Sequence, residues 1–264
     1  VQNYNIAFRQ IAPESKYCKP VGADDMLLPR CLEQMVRLAE AHPTVAIVGA
    51  YGLYSQAAMG VYSRGVPYEA AVVPGRALAR AYLLREEAAP AVFGAPTFTL
   101  FRSDVVRSRP AFYNESNLHA DSEACLALME RHDFGFVQEI LTFTRVRDQS
   151  VTSIAQDLNS ALPYRLYALR AYGPRYLSPA ELERELRMCL REYYRYLSWQ
   201  VVKRRGRVFW RFHRDKLAAE GYPLRIGRLL VHTAGYVLDQ VLNPKRTVEK
   251  AARRVGRLLR PSRA

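Results

Sequence analysis

The chain has 264 residues, 49% of them hydrophobic, and its 39 Lys and Arg against 25 Asp and Glu give a formal charge of +14. That is an ordinary globular composition, long enough to bury a real core as one large domain or two small ones. No run approaches the roughly 18 uncharged apolar residues that a spanning helix needs, so none is expected.

The sequence opens on Val1 in mid-pattern, as VQNYNIAFRQ, and no charged-then-apolar signal segment stands there. The expectation is a chain processed or truncated at its N-terminus. Cys18, Cys31, Cys125 and Cys189 are far apart and show no CxxC spacing, which argues against structural zinc and gives no disulfide framework. A reducing cytoplasm fits that usage best.

In chain order, ADDMLLP (23–29) carries two adjacent carboxylates, Asp24 and Asp25. They repel each other, so either the turn is solvated or a cation sits between them and a ligand. PRCLEQMVRLAEAHP (29–43) repeats apolar positions at Leu32, Met35, Val36 and Ala39, a helical spacing that opens at Pro29 and stops at Pro43. TVAIVGAYGLY (44–54), APTFTLFR (95–102) and FGFVQEILTFTR (134–145) read as strands by their β-branched and aromatic content. Strands alternating with helices predict a layered α/β domain over residues 1–155.

Residues 156–264 read as a mostly helical extension. In SPAELERELRMCLREYYRYLSWQVVKRR (178–205), Ser178, Pro179 and Glu181 form a capping box, and Leu182, Leu186, Leu190, Tyr193, Leu197 and Val201 line one face. Further helices are expected around 224–242 and 245–260. Charge divides the same way: residues 1–150 hold 15 Lys and Arg against 16 Asp and Glu, whereas 151–264 hold 24 against 9.

A series of segments in sequence order resembles the family 2 glycosyltransferases. NYNIA (3–7) resembles the segment that opens a helix before the metal motif, and ADDMLLP resembles the D-x-D-D block with its trailing Pro. CLEQMVRLAEAHPTVAIVGA resembles the helix and strand that follow. LFRSDVVRSRPAFYNE (100–115) resembles the segment that builds the acceptor site. HADSEACLALME (119–130) resembles the acidic base motif, and FVQEILTFTRVRDQSVTS (136–153) the strand and R-x-H-x-x-S stretch that closes the core. The resemblance covers somewhat more than half the chain. It implies a GT-A fold, a Rossmann-like α/β core that binds a nucleotide sugar. Here that core would lack its first βαβ segment, which in the family holds much of the nucleobase pocket.

The roles follow from the resemblance and its chemistry. A nucleotide sugar leaves as a diphosphate whose charge a divalent cation, Mg or Mn, would meet through oxygen ligands; Asp24 and Asp25 are the expected metal ligands. With Asn5, Arg145 and Arg147 they would form the donor and diphosphate site. Asp121 and Glu123 are the candidate bases for the acceptor hydroxyl, with Asp121 in the better register. Asp121 would equally cap the helix that follows. His119 would orient the acceptor. Two positions depart from the family: Gly22 stands where D-x-D has its first Asp, and Arg147 where R-x-H has its His.

The expected function is therefore inverting transfer of a sugar from a nucleotide-sugar donor to a glycan or lipid-linked acceptor. The alternative is a catalytically inactive homologue acting as a basic binding module. VVKRRGRVFWRFHR (201–214) interleaves Arg and Lys with Phe209, Trp210 and Phe212, which suits an anionic membrane surface or, less well, nucleic acid; a solvated basic face is the plain reading. A cytoplasmic protein, peripheral at the inner face of a membrane, is the expected location.

Overall fold

A computed structural model describes residues 1–55, 59–62, 70–86, 93, 96–145 and 151–242. The chain divides into two compact units, Val1–Leu186 and Arg187–Ala264.

The first unit is a mixed α/β layer structure. Its strands are β1 (Tyr17–Cys18), β2 (Met26–Leu27), β3 (Val45–Ser55), β4 (Met59–Tyr62), β5 (Val72–Val73), β6 (Thr99–Arg102) and β7 (Asp133–Arg145), in one sheet of order β1-β6-β3-β7-β2. β4 pairs with β3 and β5 with β7. β3 and β7 run parallel from Val45↔Asp133 to Ser55↔Arg145, and the other pairings are antiparallel. Val45 to Ala50 are all buried, the pattern of a central strand covered on both faces. The helices of this unit are α1 (Gln2–Phe8), α2 (Cys31–Ala41), α3 (Gly75–Leu84), α4 (Ser103–Arg107), α5 (Ala120–Leu128), α6 (Val151–Leu158), α7 (Ala161–Tyr176) and the first part of α8 (Pro179–Val202).

The apolar stripe of α2 explains its position. Cys31, Met35 and Ala39 pack with Val45, Val48, Leu100, Val137 and Leu141 into one buried cluster. The helix starts later than the sequence predicts: Arg30, with φ 67°, is its N-cap and Pro29 lies outside. The Leu28 amide donates to Leu141 O at 2.9 Å, which keeps the chain in register with β7 until just before Pro29. The expected strand 95–102 is also shorter. Pro96–Phe98 form a 3-10 turn, and pairing begins only at Thr99. The turn is tied elsewhere, since the Thr97 hydroxyl is held by the Asp25 carboxylate.

Helix α8 begins as predicted. Ser178 N donates to Glu181 Oε2 at 2.9 Å and Glu181 N to Ser178 Oγ at 3.3 Å, the reciprocal bonds of a capping box. α7, placed by composition in the extension, belongs to the unit that contains the sheet and packs on α3 and α5. A buried ion pair, Arg165 to Glu185 at 2.8 Å, ties α7 to α8.

The second unit contains the rest of α8, α9 (Arg207–Ala219) and α10 (Ile226–Leu242). Tyr193 and His213 are fully buried, with the Tyr193 hydroxyl 2.7 Å from His213 Nδ1. The helix expected at 245–260 lies outside the described residues. No helix among those described is long and apolar enough to cross a membrane. None of the four cysteines is in a disulfide, and three are buried.

Candidate functional site

The GADD turn follows β1 where the chain leaves the sheet. Asp25 N donates to Gly22 O at 3.0 Å, closing the turn. The Asp25 carboxylate then accepts from the Thr97 hydroxyl and from the backbone amide of Arg145 at 3.2 Å. Gly22 N donates to Thr97 Oγ1 at 3.2 Å. The turn is therefore fastened to the 3-10 turn that precedes β6 and to the carboxyl end of β7, the edge where ligands bind in open α/β sheets. A Cβ on Gly22 would stand 2.7 Å from Asp25 Oδ2 and 3.6 Å from Asp24 Oδ1. Glycine leaves the space that the Asp25 carboxylate occupies, whereas Asp24 would stand at ordinary contact distance.

Beside the turn lies a group the sequence reading missed. Lys19 Nζ donates to Thr97 O at 2.7 Å and to Thr99 O at 3.2 Å. Burial lowers its pKa to about 8, since desolvation disfavours the ammonium form. A single lysine immediately after a short strand carries no periodic or motif signal, so only the fold reveals it.

Asp121 and Glu123 both fall in the first turn of α5, but their surroundings separate them. Glu123 is buried and accepts from Asn114 Nδ2 at 3.1 Å, Asn117 Nδ2 at 2.6 Å and the Tyr167 hydroxyl, with the Tyr172 hydroxyl at 3.4 Å. It locks α5 to the preceding loop and to α7. Asp121 Oδ1 accepts from a neighbouring amide, Ser122 N, at 2.7 Å, and its other hydrogen-bond partners are local too, the Ser122 side chain and its own backbone. Its side chain is half-buried by surface exposure, yet the density packed around its carboxyl desolvates it and raises its pKa.

Tyr4 on α1 connects the two acidic groups. Its phenol pKa is raised first by burial and then by the charges of Asp25, Asp24 and Asp121. A half-buried hydroxyl thus lies within electrostatic reach of carboxylates that are about a hundred residues apart in sequence. Its neighbour Asn5 is buried, and its amide is used structurally. Nδ2 donates to Tyr113 O at 2.8 Å and Glu115 Oε1 at 3.0 Å, and Oδ1 accepts from Tyr113 N at 2.9 Å. Asn5 therefore fixes α1, and Tyr4 with it, against the segment before α5.

His119, the N-cap of α5, stacks on Tyr164 with ring centroids 4.6 Å apart, and its Nε2 lies 2.9 Å from Ser160 Oγ. Burial lowers its pKa, favouring neutral imidazole. It lines a cavity of about 300 Å³ with Tyr82, Arg85, Ser122, Tyr164 and Arg165. The Asp121 charge reaches Tyr82 and Tyr164 in the same wall. Arg145 ends β7 with its side chain exposed. Arg147 lies outside the described residues.

The charges of Asp24, Asp25 and Asp121 thus all bear on the Tyr4 phenol, whereas Glu123 and Asn5 are drawn into structural bonds and His119 stands in a cavity wall. No group of three or more His, Cys, Asp or Glu among the described residues converges as a metal cage. Mg²⁺, which is commonly held by one or two carboxylates together with substrate phosphates, does not require such a cage. One carboxylate, Asp24, is enough for that lesser demand, while both Asp25 oxygens accept from Thr97 and Arg145. No protein-family model matches the chain, and no curated protein matches it.

Proposed function

We propose that the first unit is a GT-A-type core that transfers a sugar, with inversion, from a nucleotide-sugar donor to a hydroxyl of a glycan or lipid-linked acceptor. The observation that carries this reading is the shared electrostatic reach of Tyr4 to Asp24, Asp25 and Asp121. Inverting transfer needs a site for a diphosphate and a base on opposite sides of one sugar, and two acidic groups from distant parts of the chain whose charges both act on one half-buried hydroxyl support that reading.

Asp121 is the base. The acceptor oxygen attacks the anomeric carbon while the bond to the diphosphate breaks, and the acceptor proton passes to the Asp121 carboxylate. A raised pKa makes that carboxylate the better proton acceptor. Glu123, with its lone pairs engaged by four donors, is assigned to holding α5. Asp24 would hold Mg²⁺ or Mn²⁺ together with the diphosphate, and Asp25 positions Asp24 through its bonds to Thr97 and Arg145. That cation, when bound, neutralises charge on the leaving group. The exposed Arg145 side chain would meet the same anion, and Arg147, which stands where the family has His, would do so through its own guanidinium charge.

A second reading, an inactive homologue, draws on Gly22 and on the engagement of both Asp25 oxygens. One experiment separates the two. UDP and GDP binding, measured by calorimetry with and without Mn²⁺, is combined with nucleoside diphosphate release from UDP-glucose and GDP-mannose. Metal-dependent binding lost in Asp24→Ala, with binding kept and turnover reduced on the order of 10²-fold in Asp121→Asn, supports the enzyme. Absence of binding by either nucleotide with Mn²⁺ supports the inactive homologue.

A further inference from the structure

The second unit carries its aromatic residues and its exposed apolar surface in different places from those the sequence pattern predicts. On α9, Phe209 is 3% exposed, Trp210 is half-buried with its Nε1 donating to Arg205 O at 3.1 Å, and the exposed positions include Arg207, Arg211, Arg214 and Lys216. α9 is therefore a basic helix whose aromatic side faces the unit's own interior.

α10 is turned the other way. It is held by Leu229, which is buried, and by His232, whose ring stacks on Tyr194 at 5.8 Å. The remaining arc presents Ile226, Leu230 and Val237 in one row and Val231, Leu238 and Leu242 in the next, each between 44% and 72% exposed. At 100° per residue these six fall within one contiguous face, opposite the side that packs. A continuous aliphatic face of this kind on a folded unit marks an interaction surface.

We propose that this face of α10 lies in the interface of an anionic lipid bilayer. Charge selects the occupant. Residues 187–264 hold 20 Lys and Arg against 5 Asp and Glu, so a second copy would bring like charge against like charge, whereas an acidic headgroup layer attracts the unit as the aliphatic residues insert. Nucleic acid would match the charge but not the face, since bases stack on aromatic rings and the exposed arc is aliphatic. The helix lies in the plane of the surface. Its 17 residues reach only about 26 Å, short of a bilayer's hydrocarbon core. This inference is independent of glycosyl transfer.

Co-sedimentation of the full chain with phosphatidylcholine vesicles, with and without phosphatidylserine, tests it. The chain is expected to bind the phosphatidylserine vesicles at low salt, to release them at high salt, and to leave pure phosphatidylcholine largely unbound. Leu230→Glu combined with Leu238→Glu should weaken binding roughly tenfold or more. Both positions are exposed, so the thermal midpoint should not move. As an independent readout, Leu230→Trp should add fluorescence that shifts to the blue on phosphatidylserine vesicles only. Unchanged binding by the double variant, or no shift from Leu230→Trp, would overturn the proposal. So would a wild-type dimer that the double variant converts to monomer without any vesicle binding, or nucleic-acid binding that the double variant loses.

Discussion

The Asp25 carboxylate accepts the backbone amide of Arg145, 120 residues further along the chain, at 3.2 Å. This bond joins the acidic turn to the carboxyl end of β7, and with Thr97 on the other oxygen it sets how the pair of carboxylates is presented. Gly22 is part of the same arrangement, because its missing Cβ leaves the space that Asp25 Oδ2 fills. Gly22→Ala should displace that carboxylate from Thr97 and cost about 1 kcal/mol of stability, read by thermal unfolding. Gly22→Asp should cost at least as much, and should gain no Mn²⁺ affinity if the space argument holds.

The two acids of α5 should respond oppositely to neutralisation. Glu123→Gln places an amide among the Asn114, Asn117 and Tyr167 donors, leaving buried polar groups mismatched, and should lose about 2–3 kcal/mol in urea unfolding. Asp121→Asn removes a desolvated charge and should keep or raise the thermal midpoint at neutral pH. If both lost stability equally, Asp121 would be an ordinary helix cap.

Burial holds the Asp121 carboxyl above its ordinary value of 3.8. In the interval between that value and the raised one, the folded chain keeps a proton that the unfolded chain has released. Its contribution to stability therefore falls as pH rises through that window. The wild type minus Asp121→Asn difference in unfolding free energy should show this decline. As the base, Asp121 also requires the acid limb of any activity profile to lie above pH 3.8.

Lys19 gives the opposite slope at the other end of the scale. Burial lowers its pKa from 10.5 to about 8, so between those values the unfolded chain holds a proton that the folded chain has lost, and stability from this group rises with pH. Subtracting Lys19→Met should isolate that rise. At pH 8 Lys19 should also carry more free amine than Lys16, whose pKa the Glu40 carboxylate raises. Limited acetylation mapped by mass spectrometry would show whether burial instead shields Lys19 from the reagent.

Elements with strong local signals were legible without the fold. The apolar run of β3, the aromatic alternation of β7, the spacing of α2 and the Ser178–Glu181 box each fix a local conformation through backbone and burial preferences, and each is found where the pattern places it, within a few residues. Boundaries failed where a distant partner intervened. Pro96–Phe98 lie in a stretch of strand-forming composition, but the Thr97 hydroxyl is bound at the acidic turn and these residues form a 3-10 turn. α7 gave no amphipathic signal of the usual kind because it is buried on several sides, with Leu162, Leu166, Leu169, Tyr172 and Tyr176 all inside.

The sequence by itself determined which residue types are available: paired carboxylates in a turn, a second acidic pair opening a helix, and a basic helical second half. Only the tertiary structure decided their roles. Burial and hydrogen-bond partners are properties of long-range packing, and they distinguish Glu123, held by four donors from the preceding loop and α7, from Asp121, desolvated with local partners at Ser122 and its own backbone. The same packing turned the aromatic residues of α9 inward and left the aliphatic arc of α10 outside. Helical periodicity gives the face on which a side chain lies, but whether that face meets protein or solvent depends on neighbours that are remote in the sequence.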